Sequence, residues 1–171
     1  MPAACEGQLE NFVHASFAAG DATLEDFALP QHRCVYAHWL AHRGAADLPP
    51  TSSIDPLELR EALGYINLLE PEPGFGDFRY RLVGSSIFEI VKHDLAGTLV
   101  SDLSLARATV FGAQFRALRT LRRPIYSEHD APPDVSLITR WCRLILPYAG
   151  ADSAITRILV VNVPRPTQRS R

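Results

Sequence analysis

The chain has 171 residues, 47% of them hydrophobic and 21% charged, which is typical of one globular domain with an extension. Its net charge of −2 gives no general attraction to nucleic acid, and its longest apolar run is too short to span a bilayer. The three cysteines, Cys5, Cys34 and Cys142, lack the spacing of a zinc or redox motif, which favours reduced thiols. We therefore expect a cytoplasmic protein that binds neither nucleic acid nor membranes.

The N-terminal quarter of the chain predicts two helices. Residues 6–19 place apolar side chains near one helical face. From Pro30 to Arg43 a second helix would carry Val35 and Trp39 in an apolar stripe. The following segment, 44–53, is rich in small residues and proline and is predicted to be a linker.

The next segment predicts a short helix and a β-hairpin. Asp55 would cap the helix, and Glu58 stands three residues later, as in a capping box. Strands are predicted at 65–70 and 77–83, joined by a turn rich in proline and glycine at 71–76.

The second of these strands alternates between apolar and basic side chains. Phe78, Tyr80 and Leu82 would share the face toward the core. Arg79 and Arg81 would then point away from it, and we expect Arg81 to pair with a carboxylate.

The second half of the chain predicts two further helices, at 84–91 and 105–122, and three strands. The strands are expected at 124–129, 138–147 and 154–163, the last two joined as a hairpin. The last strand carries apolar side chains on both faces, which indicates a sheet that is covered on both sides. The N-terminal helices or a second subunit would supply the second cover.

This order of elements, together with several short motifs, resembles the PAS domain, and in particular its stand-alone bacterial subfamily. The resemblance covers residues 33–163, with 1–32 as a helical extension and 164–171 as a tail. The residues that carry it are Trp39-Leu40, Ile54-Asp55-Pro56, Phe78-Arg79-Tyr80-Arg81-Leu82-Val83-Gly84, His93-Asp94-Leu95-Ala96-Gly97 and Leu144-Ile145-Leu146-Pro147.

The resemblance implies an α+β fold, in which a five-stranded antiparallel sheet has helices on one face. The doubly apolar last strand adds the expectation that the N-terminal helices cover the other face. It also implies a sensory or regulatory module, usually not an enzyme, that acts through a partner protein. We expect a homodimer, with a signalling protein and a small-molecule ligand as further partners.

Two cofactors known from this family are disfavoured by the sequence. Flavin-binding photosensors use an Asn-Cys-Arg motif in the helical segment, but residues 84–122 contain no cysteine. Haem-binding members usually supply a histidine from the long helix, and 105–122 has none; His93 is the nearest substitute. The identity of any cofactor stays open.

A ligand cavity between sheet and helices would have mostly apolar walls with a few polar groups, which suits a small organic molecule. The same residues also describe an ordinary filled core, as in an adaptor without ligand. The candidates are Asn67, Tyr80, Leu82, Phe88, Phe111, Phe115 and Trp141.

The sequence also contains histidines that could serve a catalytic or a metal site. An enzyme of another class, such as a hydrolase, would have to use His93 with Asp94, or His129, but neighbours in sequence rarely face each other, so we assign no catalytic residue. Cys34, His38 and His42 share a helical face, yet the first and last would stand about 12 Å apart along the axis. His38 and His42 alone make half a site, so no metal site is expected.

Overall fold

The protein contains one six-stranded antiparallel sheet and three α-helices, in a computed structural model that describes residues 13–18, 22–131 and 138–166. The strand order is β1-β4-β5-β6-β2-β3. The strands are β1 (Val13–Ala18), β2 (Ile66–Pro71), β3 (Phe78–Val83), β4 (Ile125–Asp130), β5 (Ile138–Ala149) and β6 (Ile155–Pro166). The helices are α1 (Pro30–Arg43), α2 (Ser85–Val91) and α3 (Leu105–Leu121).

The five strands expected from the sequence, β2 to β6, form the expected antiparallel sheet, which confirms the α+β fold class. The helix expected at 6–19 is wrong over Val13–Ala18, because these residues form β1 and pair with β4. The rest of that expected helix lies outside the described residues. Strand pairing satisfies backbone groups that the edge of β4 would otherwise leave to solvent.

The two faces of the sheet are covered by different helices, as the doubly apolar β6 predicts. On one face α1 packs across β5 and β6, and the Trp39 indole Nε1 donates to the Pro147 carbonyl at 2.9 Å. On the other face lies α3, where Phe115 makes an edge-to-face contact with Phe78 at a centroid distance of 5.2 Å. The interior therefore has two layers, separated by the sheet.

The alternation of β5 assigns its side chains to these layers. Arg143 lies opposite Ser127 on β4 and faces α3, where Gln114 contacts both residues. The next residue, Leu144, lies opposite Tyr126 and faces α1. Adjacent residues of one strand thus take part in different cores.

The segment before β2 differs from the expected helix. Residues 56–62 form consecutive turns and Leu63–Tyr65 a single 3-10 turn, with no α-helix. Asp55 does cap this segment, since its Oδ1 accepts from the Leu57 amide at 2.8 Å. Glu58 does not close a capping box, because its carboxylate hydrogen-bonds to His42 on α1 instead.

The hairpin of β2 and β3 contains a bulge that changes which way β3 side chains point. Leu69 pairs with Tyr80, but Leu68 pairs with Leu82, so Arg81 is an extra residue on β3. Since Leu68 and Leu69 point to opposite faces, Tyr80 and Leu82 do so as well. Arg81 forms an ion pair with Glu70, as expected.

Candidate functional site

The candidate site is a cavity of about 410 Å³. It lies between the face of the sheet that α3 covers, the helices α2 and α3, and the loop that joins these helices. Its apolar wall is supplied largely by the helices, with Ile87 and Val91 on α2 and Phe111 on α3. This volume falls within the roughly 300–1,000 Å³ of typical small-molecule sites.

The sheet supplies polar groups to the cavity. Asn67 is 2% exposed, and its Oδ1 accepts from the Gly84 amide at 3.3 Å. On β6 the side-chain oxygen of Asn162 is buried and has no hydrogen-bond partner among the described residues. A buried amide oxygen of this kind can accept a hydrogen bond from a ligand.

Tyr80 adds a phenol to this wall. Burial raises the pKa of Tyr80, and the positive charges of Arg143 and Arg107 oppose that shift. The phenol is therefore protonated at neutral pH and can donate a hydrogen bond.

Two arginines give this region a positive potential. Arg107 on α3 lines the cavity, and it forms no ion pair with any described carboxylate. Arg143 is 1% exposed beneath the cavity, with its guanidinium carbon 3.6 Å from the Phe111 ring centroid and an Nη1 donating to Gln114 at 3.1 Å. Burial lowers the pKa of Arg143 to about 10, so it stays charged at neutral pH.

Only one carboxylate, Asp102, lines the cavity among the described residues, and its Oδ2 already accepts from the Leu99 amide at 2.9 Å. The two positive charges of Arg107 and Arg143 therefore exceed the single negative charge of Asp102. In a partly desolvated site this excess favours an anionic ligand.

The structure brings four of the seven expected ligand-binding residues to the cavity: Asn67, Tyr80, Phe111 and Trp141. Phe115 is fully buried in the core beside them, against Phe78.

The other two expected residues do not line the cavity. Leu82 is 49% exposed, because the bulge at Arg81 turns it to the opposite face from Tyr80. Phe88 is 46% exposed, because α2 turns Ile87 and Val91, rather than Phe88, toward the cavity.

Sequence reasoning missed Arg107 and Asn162 as cavity residues. The only available signal for Asn162 was a polar residue on a strand that is otherwise apolar on both faces. Arg107 had no signal, because an arginine near the start of an amphipathic helix usually faces solvent.

The residues considered for catalysis are partly brought together. His93 and His129 both line the cavity. Asp94 instead accepts from the Ala96 amide at 2.9 Å, and Glu128 lies on the opposite face of β4, where it pairs with Arg140. The local neighbours His93–Asp94 and Glu128–His129 therefore do not form catalytic pairs.

Comparison with known proteins gives one family. A family model described as a PAS domain matches residues 28–161, most of the chain. A search of curated proteins found no match. Within the described residues, the helices are too short or too polar to cross a membrane.

Proposed function

The chain belongs to the PAS domain family, and from this premise we propose that it is a regulatory module that binds a small organic acid in its cavity and signals through a partner protein. The family is typically sensory and not enzymatic, and its members often mediate dimerisation and signalling. No observation at the site favours a catalytic role over ligand binding.

The observation that carries the proposal is a cation on the cavity wall, Arg107, which no carboxylate of the described residues pairs with. A guanidinium without a carboxylate partner can bind a ligand carboxylate through two parallel hydrogen bonds. Arg107 offers this group at the cavity, and the buried charge of Arg143 adds to the local potential.

The second requirement on the ligand comes from Asn162. Its buried Oδ1 needs a donor, which an N–H or O–H group of the ligand would supply. The proposed ligand is therefore a small organic acid that also carries an amino, amide or hydroxyl group and has an apolar part facing Ile87 and Phe111.

The test measures thermal stability against a panel of small amino and hydroxy acids, each paired with its methyl ester. We expect at least one acid to raise the melting temperature, with no rise for its ester, because only the acid satisfies Arg107. The Arg107→Gln variant should lose at least about tenfold in affinity for that acid.

A matched pair of variants on α2 locates the binding site. Val91→Trp places a large ring in the cavity and should abolish binding, whereas Phe88→Trp changes the exposed side of the same helix and should not. If both variants bind the acid equally well, the acid does not bind in this cavity. Absence of binding by every acid would overturn the proposed ligand class and favour the adaptor without ligand.

We also propose that the protein forms a homodimer and contacts a signalling protein, supported by the roles common in its family. Light scattering coupled to size exclusion would give the oligomeric state directly, and a monomeric mass would contradict the dimer. The cytoplasmic location stays a prediction.

A further inference from the structure

A second group of chemically active side chains lies on the other side of the sheet, away from the cavity. His38 and His42 stand one turn apart on α1, with ring centroids 4.3 Å apart. Glu58, from the turns that precede β2, reaches both of them. The three ligand atoms lie within 4.8 Å of one another.

We propose that His38, His42 and Glu58 bind one divalent transition-metal ion, with zinc as the type that best suits the donors. Two imidazole nitrogens and one carboxylate oxygen are a donor set that zinc accepts, and three protein ligands leave a fourth position for water. This site is independent of the ligand proposed for the cavity.

The distances fit a single ion. Tetrahedral zinc with bonds of about 2.0–2.2 Å places its ligand atoms about 3.4 Å from one another. The His38 Nε2 lies 3.4 Å from the Glu58 Oε2, and the His42 Nε2 lies 2.8 Å from the same oxygen. Only a small outward movement of the His42–Glu58 pair, which is partly exposed, is needed to admit the ion.

The surroundings of His38 also suit a metal ligand. Its Nδ1 lies 3.3 Å from the hydroxyl of Tyr148, a fully buried residue of β5. A hydrogen bond at the second ring nitrogen fixes the orientation of a ligating ring. Nε2 donates to the Ser53 carbonyl at 3.0 Å, so a bound ion would displace this hydrogen bond and the ring proton would move to Nδ1.

Protonation would compete with metal binding, because only neutral imidazole is a ligand. Burial lowers the pKa of His38, and the neighbouring His42 lowers it further, whereas Ser53, Glu58 and Asp55 oppose the shift.

The ion would connect α1 to the segment that leads into β2. His38 and His42 belong to α1, and Glu58 belongs to the turns at 56–62. A bound ion adds its binding free energy to the folded state, so the melting temperature should rise with zinc concentration.

The test is calorimetric titration of the chelator-treated full chain with zinc chloride at pH 7.5. We expect saturation at one equivalent. His42→Gln and Glu58→Gln should each bind at least about tenfold more weakly. Wild-type affinity in either variant, or no saturable binding to the wild-type protein, would overturn the site.

Matched controls carry the same chemical changes outside the site. Glu61→Gln neutralises an exposed carboxylate in the same segment, and His93→Gln removes an exposed histidine elsewhere. Both should bind zinc as the wild type does. A loss of affinity in these controls equal to that of the site variants would show general surface binding and overturn the proposal.

Tyr148 is proposed as a positioning residue for His38. Tyr148→Phe should keep one equivalent of zinc but bind it about tenfold more weakly. Zinc affinity is the informative measurement, since a hydroxyl that served only packing would leave it unchanged. Unchanged affinity would remove Tyr148 from the proposal.

Discussion

Acidification should destabilise the fold through His32, a residue of α1 that is 1% exposed. Its Nε2 donates to the Val161 carbonyl of β6 at 3.2 Å. Burial lowers the pKa of His32 to about 4, although backbone hydrogen bonds to Val161 and Cys142 and the charge of Glu128 oppose this. The folded protein therefore keeps this ring neutral in mildly acidic solution.

The sign and size of the effect follow from proton linkage. Between pH 6.5 and about 4 the unfolded chain binds a proton at His32 and the folded chain does not. The free energy of unfolding therefore falls as the pH falls through this window, and it levels off below about 4. At 1.36 kcal/mol for each pH unit, the loss due to His32 is about 3 kcal/mol.

Urea unfolding at a series of pH values, followed by far-ultraviolet circular dichroism, measures this loss. His32→Gln keeps an N–H donor for Val161 but cannot titrate, so its free energy of unfolding should fall by about 3 kcal/mol less than that of the wild type between pH 7 and 4. Other acid-sensitive groups are common to both proteins and cancel in the comparison. Equal losses in the two proteins would refute the reasoning.

Two further predictions concern packing, and urea unfolding at pH 7 tests both. Gly84→Ala should cost about 1–3 kcal/mol, because its Cβ would lie 2.3 Å from the carbonyl oxygen of Gly64, whereas Gly76→Ala meets nothing within 4 Å and should be nearly neutral. Equal stability of these two variants would contradict the close backbone contact. Trp39→Phe should cost about 1–3 kcal/mol, because the buried Pro147 carbonyl loses its side-chain donor, and Trp39→Ala should cost more, about 3–5 kcal/mol. If Trp39→Phe is as unstable as Trp39→Ala, packing of the ring contributes less to stability, and the hydrogen bond more, than this prediction assumes.

The three α-helices and the strands β2 to β6 could be predicted because their apolar periodicity is strong and their ends are marked. Pro30 and Gly44 bound α1, and Pro124 follows α3. The strand Val13–Ala18 could not be predicted, because its short apolar pattern fits a helix as well as a strand. Its pairing with β4, more than 100 residues away, is decided by tertiary structure.

The candidate sites were less predictable, because they depend on where turns and bulges place side chains. Leu82 was expected beside Tyr80 from simple alternation, but one extra residue on β3 reverses its direction. Similarly, Glu58 was expected to cap its own segment, and the fold instead brings it to His42. Neither the extra residue on β3 nor the contact between Glu58 and His42 produces a periodic pattern in the sequence.

The alternation of β5 constrains the number of residues in the strand. Trp141 faces the cavity while Tyr148, seven positions further along the same strand, faces His38 of α1. If one residue were inserted or deleted between them, one end of β5 would keep its register and the side chain at the other end would turn to the opposite face of the sheet. Homologous chains should therefore keep the number of residues between these two positions even where the residues themselves differ.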